Sequence, residues 1–262
     1  MTDFETIRYE SNDGVAAITL ARPDKRNAMN SRMFAELGDA AERAASDHAV
    51  RAVLIRGEDR SFCAGIDVTS FAELAAADGG PASFIRTAQR PFRIIGTMPR
   101  PVVAAVQGHA LGAGLQLALA CDLRVLAEDT LLGMLEIRFG IIPDLGGNHR
   151  LARLVGPARA KELVWTGRRV DASEADRLGL ANRIVAVDAL QKEAEELARA
   201  LAAGPPVPIS LAKGLIDRAG ETSFEALMDR EAELQARCLS SEDHREAVAA
   251  FFEKRPTTFT GR

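Results

Sequence analysis

The sequence predicts an α/β fold followed by a helical C-terminal region. Apolar, β-branched runs alternate with helix-like segments up to about residue 135, which is typical of a sheet with right-handed helical crossovers. From Leu151 onward, helical periodicity dominates and strand character is confined to a short stretch near residue 185. Two glycine-bearing loops that follow predicted strands carry the functional signal.

The first predicted elements are a β-hairpin and a helix. Strands over residues 7–10 and 15–20 are joined by Ser-Asn-Asp-Gly, and Asn-Asp-Gly is a hairpin turn signal. A helix follows over residues 31–45, with apolar residues on one face. Ser31 is expected to cap this helix because its hydroxyl can accept a hydrogen bond from a first-turn N–H.

Strands and helices alternate after this point. Further strands are predicted over residues 52–56, 102–106, 123–126, 130–133 and 182–187. Helices are predicted over residues 83–96, 157–166, 173–178, 188–203, 206–219, 223–238 and 242–253. The intervening segment 69–82 is rich in Ala, Asp, Gly and Pro, and it is expected to be a mobile surface loop.

The composition favours a cytoplasmic protein with neither a nucleic-acid nor a membrane partner. The net charge is −4 and no long basic run occurs, which argues against nucleic-acid binding. The apolar runs are shorter than the ~20 residues that span a bilayer, and the acidic N-terminus lacks a signal region. The isolated cysteines and scattered histidines show no metal-ligand spacing, so no metal is expected. Cys63 is interpreted as a small buried residue rather than a nucleophile, and His109 as a candidate pocket residue.

The two glycine loops cover residues 62–67 and 107–114, and the second opens directly into a helix-like segment. Glycine allows tight turns and a close approach of a ligand to the backbone. A helix N-terminus adds unpaired N–H groups and a positive dipole end. Two such loops facing one another could aim two backbone N–H groups at a single oxygen, which would form an oxyanion hole.

Together with the loop Leu20–Asn30, these two loops resemble the crotonase family, also called the enoyl-CoA hydratase/isomerase superfamily. The resemblance extends from about Tyr9 to Phe259. It implies a ββα spiral core with an acyl-CoA site over residues 1–200 and a C-terminal helical trimerisation region over residues 201–262. It also implies an acyl-CoA thioester substrate and a homotrimer or dimer of trimers. No separate cofactor is expected, because coenzyme A is part of the substrate.

The resemblance also assigns residues to the binding of the thioester. The backbone N–H groups of Ile66 and Ala113 are expected to form the oxyanion hole. The residues expected to contact coenzyme A are Lys25, Arg26, Ala64, Gly65, Ile66, Asp67, Val68, Gly112 and Ala113. Lys25 and Arg26 could equally be solvated loop charges. Asp67 is expected to fix its loop rather than to transfer protons.

The acid/base positions depart from the usual pattern of the family. Hydratases of this family use two glutamates, and the matching positions here hold Gln116 and Glu136. A neutral amide cannot serve as a base, so Gln116 is interpreted as an orienting residue that could hold a water or the substrate. Asp144 lies where some isomerases and a dehalogenase of the family carry a working aspartate. Glu136 and Asp144 could face the same acyl pocket, where burial would raise at least one pKa toward neutrality.

The favoured reaction is a double-bond isomerisation of an enoyl-CoA, with Glu136 as the principal base and Asp144 as a second acid/base. The close alternative is hydration of a 2-enoyl-CoA, with Gln116 in place of one glutamate. Glu136 could instead pair only with Arg138 or another nearby arginine, and Asp144 could cap the helix that begins near Gly147. Two further alternatives are a non-catalytic acyl-CoA or RNA-binding protein and a hydrolase or dehalogenase with Asp144 as nucleophile.

Overall fold

The structure is a computed structural model that describes residues 4–70 and 79–262. The strands are β1 (Ile7–Asn12), β2 (Val15–Leu20), β3 (Ala52–Gly57), β4 (Val102–Val106), β5 (His109–Leu111), β6 (Leu123–Ala127), β7 (Leu131–Gly133), β8 (Val170–Asp171) and β9 (Arg183–Val185). The α-helices are α1 (Ser31–Ser46), α2 (Pro81–Thr97), α3 (Ala113–Ala120), α4 (Gly147–Val155), α5 (Pro157–Thr166), α6 (Ala172–Arg177), α7 (Leu190–Ala203), α8 (Pro206–Arg218), α9 (Phe224–Leu239) and α10 (Glu242–Glu253). Short 3₁₀ helices cover Pro23–Lys25, Val68–Ser70, Glu136–Phe139 and Val187–Ala189.

A six-stranded sheet in the order β1-β2-β3-β4-β6-β9 forms the centre of the molecule. Only the β1–β2 pair within it is antiparallel, and the other neighbours are parallel. The mixed α/β architecture therefore agrees with the prediction. The predicted hairpin is also confirmed, with β1 extended to Asn12 and a turn of only Asp13 and Gly14, both at positive φ (49° and 80°).

Both faces of the central strands of this sheet are buried. Along β3, Val53 and Ile55 pack in the larger core with α1, α2 and α3, whereas Leu54 packs in a second core with α7. Adjacent residues of a strand point to opposite faces, so a fully apolar strand fits a sheet that is covered on both sides. Helix α7 thus lies on the face of the sheet opposite to the helix that follows the second glycine loop.

The cap of α1 differs from the prediction. Ser31 is the first helical residue, and the side-chain oxygen of Asn30 accepts the hydrogen bond from the Met33 N–H at 2.9 Å. The prediction of Ser31 as the cap is therefore wrong by one residue. Asn and Ser are both favourable caps, so composition alone did not separate the two adjacent positions.

A second, three-stranded sheet in the order β5-β7-β8 lies beside the first. Strand β7 confirms the strand predicted over 130–133, but β5 and β8 were not predicted because they are too short for a periodic signal. The pairing of β5 with β7 holds the second glycine loop against the segment that carries Glu136.

The C-terminal helices α8 to α10 follow the predicted ranges within about two residues. The Lys213 ammonium on α8 donates to the Asp122 carboxylate at 2.8 Å and to the Arg100 carbonyl at 3.0 Å, which ties this region to the sheet. The division at residue 200 stays a prediction. Residues 71–78 of the predicted mobile loop lie outside the described residues. In the described ranges, none of the helices is both long and apolar enough to cross a membrane.

Candidate active site

The two glycine loops lie directly against each other. The Cys63 N–H donates to the His109 carbonyl at 2.8 Å, and the Leu111 N–H donates to the Cys63 carbonyl at 3.0 Å. A Cβ atom at Gly114 would lie 2.2 Å from the Cys63 carbonyl oxygen, and one at Gly65 would lie 2.9 Å from that of Leu111. Only glycine allows this approach, which explains why both loops need it at these positions.

The predicted oxyanion donors, Ile66 and Ala113, lie at this contact. The residues on either side of Ile66 bond to Met29 through the Gly65 carbonyl and the Asp67 N–H, each at 2.8 Å. Successive residues of an extended chain point to opposite sides, so the Ile66 N–H points away from Met29.

Ala113 is the first residue of α3, and the first hydrogen bond of that helix runs from the Gln116 N–H to the Gly112 carbonyl at 3.0 Å. Its N–H is therefore one of the donors that a helix N-terminus leaves without an intrahelical acceptor. The Ala113 nitrogen lies 3.9 Å from the position that a Cβ on Gly65 would occupy. Within the described ranges, neither the Ile66 nor the Ala113 N–H has a protein acceptor, so both are free to bind a ligand oxygen.

A buried arginine closes the other end of the same short helix. The Arg124 guanidinium donates to the carbonyl oxygens of Cys121 at 2.9 Å and Leu180 at 2.8 Å, and Cys121 is the C-cap of α3. A cation at this end complements the helix dipole and satisfies carbonyl groups that would otherwise be unpaired. Arg124 was not predicted as a functional residue, since no local pattern in the sequence indicates that a single arginine is buried.

The loop Arg22–Asn30 fastens the first glycine loop. The Ala64 N–H donates to the Arg26 carbonyl at 2.9 Å, and the Arg22 guanidinium pairs with the Asp67 carboxylate at 2.8 Å. Hydrogen bonds from Thr69 and then from Arg22 lower the pKa of Asp67, so this carboxylate is ionised and already occupied. The geometry favours the structural role predicted for it.

The predicted coenzyme-binding side chains of this region are exposed. Lys25 and Arg26 lie on the surface of the loop that packs on Ala64, and Val68 is 59% exposed in the 3₁₀ helix that follows the loop. The loop of Lys25 and Arg26 is bonded to Ala64, and Val68 follows Ile66 by two residues, so these exposed side chains lie on the segments that adjoin the first glycine loop.

Glu136 lies at the inner end of the site. It begins the 3₁₀ helix after β7 and is only 8% exposed, and its Oε1 lies 3.4 Å from where a Cβ on Gly112 would be. Burial raises the pKa of the Glu136 carboxyl and the charge of Asp144 raises it further, while hydrogen bonds from its own N–H and from Gln116 lower it. The alternative that Glu136 only pairs with Arg138 or another arginine gains no support, because in the described part of the chain the side-chain partner of Glu136 is Gln116 and no arginine charge acts on its carboxyl.

Asp144 is half-buried on the segment between the 3₁₀ helix and α4. Burial raises the pKa of its carboxyl. Helix α4 begins after Gly146, which serves as the N-cap without a side-chain hydrogen bond, so the alternative in which Asp144 caps this helix is wrong. The Gln89 side chain on α2 donates to the Asp144 carbonyl at 2.6 Å, which fixes the backbone of this residue and leaves its carboxyl group unused by the cap.

Gln116 connects the two carboxylate-bearing segments. Its amide nitrogen donates to Glu136 Oε1 at 2.7 Å, and its amide oxygen accepts the N–H groups of Leu145 at 2.8 Å and Gly147 at 3.0 Å. The side chain is 1% exposed. Gln116 was predicted from the sequence to be an orienting residue, but these protein partners were not predicted, because they lie 20 to 31 residues away along the chain.

Two other candidates from the sequence do not join this cluster. Burial raises the pKa of the Cys63 thiol to about 12, which agrees with a small buried residue and not with a nucleophile. His109 bonds to the Ser61 hydroxyl at 3.1 Å, and burial, followed by the charges of Arg26 and Arg169, lowers its pKa. The described residues contain no group of His, Cys, Asp and Glu side chains that could hold a metal ion.

The chain is similar to known proteins over its whole length. The family model described as enoyl-CoA hydratase/isomerase matches residues 10–262. A protein named "Probable enoyl-CoA hydratase echA8" from Mycobacterium tuberculosis is 38% identical over 99% of both chains. The crotonyl-CoA hydratase of Syntrophomonas wolfei is 35% identical over 99% of both chains.

Solved structures show the same fold. The crystal structure of an enoyl-CoA hydratase from Bacillus anthracis superimposes with a TM-score of 0.93 at 32% identity, and the match covers 98% of this chain and 100% of the other. The predicted spiral α/β core with a C-terminal helical region is therefore confirmed as a fold class. The chain belongs to the enoyl-CoA hydratase/isomerase family, whose members are the crotonase-fold enzymes.

Proposed function

We propose that this protein shifts the double bond of an enoyl-CoA thioester, with Glu136 removing a proton from C2 and Asp144 returning one at C4. The proposal rests on the side chains at three positions, namely Glu136, Asp144 and Gln116. Two carboxyl groups have raised pKa values and the charge of Asp144 acts on Glu136, whereas the third position is Gln116, a neutral amide bonded to Glu136.

The intermediate would be a thioester enolate. Its oxygen would bind between the N–H groups of Ile66 and Ala113, which have no acceptor elsewhere in the described residues. Preorganised donors of this kind are typically worth about 3–4 kcal/mol each when one is removed. They make the C2 hydrogen acidic enough for a carboxylate to remove.

The two carboxyl groups would divide the proton transfer. Glu136 lies beside the Gly112 turn that precedes Ala113, so it is placed for the carbon next to the thioester carbonyl. Asp144 lies on a different segment, and its charge acts on Glu136. Because both pKa values are raised, one group can be protonated while the other is ionised, which is what an allylic proton shift requires.

The substrate would be held by the loops already described. Lys25 and Arg26 would lie near the phosphates of coenzyme A, and backbone groups from Ala64 to Val68 would contact the rest of that moiety. Coenzyme A enters as part of the substrate, so the reaction needs no further cofactor. The exposed apolar residues of the C-terminal helices, including Phe224, Phe251 and Phe252, would pack in a homotrimer or dimer of trimers.

Hydration of a 2-enoyl-CoA is the second candidate, because the relatives that match this chain are named enoyl-CoA hydratases. In that reaction Glu136 would activate the water or protonate the thioester. Its partner would be a residue other than a glutamate at position 116. Gln116 already uses its amide oxygen to accept two backbone N–H groups, which leaves little capacity for orienting a water.

A paired assay separates the two reactions. Purified protein is incubated with 3-enoyl-CoA and 2-trans-enoyl-CoA of the same chain length, and the products are identified by mass and chromatography. Conversion of the 3-enoyl thioester without a change of mass, with little water addition to the 2-enoyl thioester, is the expected result. Rapid gain of water by the 2-enoyl thioester, with no isomerisation, would overturn the proposal in favour of hydration.

A further inference from the structure

We propose that Gln116 is a positioning residue that selects Oε2 of Glu136 as the atom that moves the proton and fixes Glu136 to the segment of Asp144. The inference rests on the proposed function in one respect, namely that Glu136 is the base. It does not depend on whether the product is an isomer or a hydrated thioester.

The orientation of the Gln116 amide follows from its neighbours. The Leu145 and Gly147 groups that face it are backbone N–H groups, which can only donate, at 2.8 and 3.0 Å. The amide oxygen must therefore lie on their side, and the amide nitrogen must face Glu136. The 2.7 Å contact with Glu136 Oε1 is a hydrogen bond in which Gln116 donates.

The hydrogen bond from the Gln116 amide makes the two carboxyl oxygens of Glu136 different from each other. Oε1 accepts the Gln116 N–H, so a proton on a neutral Glu136 resides on Oε2. Among the described residues, Glu136 Oε2 is a buried side-chain oxygen that lacks a hydrogen-bond partner. In the reaction, the C2–H bond would break as the Oε2–H bond forms, and the electron pair would move into the enolate.

The same amide determines the relative placement of the two acid/base segments. Gln116 lies three residues, or about one turn, after Ala113 on α3, so its position is set by the helix that supplies an oxyanion donor. From there it bonds to Glu136 on one side and to the backbone on either side of Gly146 on the other, immediately after Asp144. A single side chain thus links the hole, Glu136 and the Asp144 segment.

Two substitutions separate the functions of the amide. Gln116→Glu keeps an oxygen for the Leu145 and Gly147 N–H groups but replaces the donor to Glu136 with a second carboxyl, which must share a proton with Glu136. Gln116→Met keeps the approximate volume and removes both functions. Asp144 is the other titratable group whose charge acts on Glu136, and it is unchanged in both variants.

The test measures proton removal without a double bond. Butyryl-CoA, which can be neither isomerised nor hydrated, is incubated in D₂O, and exchange of its C2 hydrogens is followed by mass across a range of pH. In the wild-type protein, the rate should rise with pH through the pKa of Glu136. Both variants should lose about tenfold or more in rate at neutral pH, and their midpoints should move upward by about one pH unit. In Gln116→Met the hydrogen bond that favours ionised Glu136 is gone, and in Gln116→Glu the two neighbouring carboxyl groups retain a shared proton to higher pH.

Gln191→Glu is the matched control, because Gln191 lies on α7, on the opposite face of the central sheet, and bonds to Arg56. It should exchange butyryl-CoA like the wild type. An unchanged midpoint and rate in folded Gln116→Glu and Gln116→Met would overturn the positioning role while leaving the proposed function intact. Absence of exchange in the wild type would overturn the enolate chemistry itself, and the positioning role with it.

Discussion

The glycine loops 62–67 and 107–114 and the proposed acid/base segment 136–147 are built in different ways. The loops are joined by backbone hydrogen bonds, such as that from the Leu111 N–H to the Cys63 carbonyl, and by glycines that allow close approach. The acid/base segment is instead held by the side chains of Gln116 and Gln89. Charge stabilisation should therefore tolerate most side-chain changes, whereas proton transfer should depend on individual side chains.

The largest effect is expected from Glu136→Gln. Loss of the principal base should lower turnover of an enoyl-CoA by about 10³-fold, within the 10²–10⁴ range of general acid–base catalysis. Binding of the thioester should change little, because the two proposed oxyanion donors are main-chain N–H groups. Steady-state kinetics and calorimetric binding of an acyl-CoA measure the two effects separately. Full turnover by this variant would contradict the assignment of Glu136 as the principal base. It would also contradict the expectation that proton transfer depends on individual side chains.

Gly65→Ala tests the loops. Its φ of 109° disfavours alanine, and the new Cβ would lie 2.9 Å from the Leu111 carbonyl oxygen, so the loop must shift and displace the Ile66 N–H. Loss of one oxyanion donor should lower turnover by about 10²-fold. Gly214→Ala on α8 is the matched control, since nothing lies within 4 Å of its Cβ position. Equal activity of the two variants would show that the hole does not depend on this turn.

Asp144→Asn distinguishes the two carboxyl groups. If Asp144 returns the proton at C4, isomerisation should fall by about 10²-fold, whereas exchange of the C2 hydrogens of butyryl-CoA should persist. The comparison of these two rates in one variant is the measurement. Equal losses of isomerisation and of exchange would indicate that Asp144 supports Glu136 and does not return the proton at C4.

The smallest effect concerns stability. Because burial raises the pKa of Glu136 above its value in the unfolded chain, stability is lost as pH rises through the folded-state pKa and is retained at lower pH. Glu136→Gln should therefore raise the melting temperature above that pKa, with about 1.4 kcal/mol gained for each tenfold change in proton affinity. The gain should disappear below the ordinary glutamate pKa of about 4.3.

Thermal unfolding at several pH values measures this gain. Glu128→Gln serves as the control, because Glu128 is exposed and should give little change at any pH. A lower melting temperature for Glu136→Gln at neutral pH would mean that Glu136 stabilises the folded state, whereas we expect its burial to destabilise that state.

The sequence predicted what depends on local pattern. The hairpin turn at Asp13-Gly14, the strand over residues 102–106 and the glycine loops were identified because turn chemistry and apolar runs are read over a few residues. The choice of Asn30 over Ser31 as a cap was missed because both residue types suit that position.

The features that could not be predicted depend on contacts between residues that lie far apart in the sequence. The strands β5 and β8 are too short to produce a periodic signal, and they form only because β7 lies between them. The bonds from Gln116 to Leu145 and Gly147, and the burial of Arg124 beneath α3, join residues that the sequence separates. Gln116 could be identified as a departure from the two-glutamate pattern, but its protein partners required the structure.

The most direct test of the account is the conversion of a 3-enoyl-CoA in D₂O, with the product of the first turnovers analysed by mass and by NMR at C4. We expect a 2-enoyl product of unchanged skeleton with about one deuterium at C4, because Asp144 would draw its proton from solvent while Glu136 takes the one from C2. A product that has gained the elements of D₂O would identify a hydratase. Direct transfer of the C2 hydrogen to C4 without deuterium would show that one carboxyl group performs both steps and would contradict the two-carboxyl mechanism.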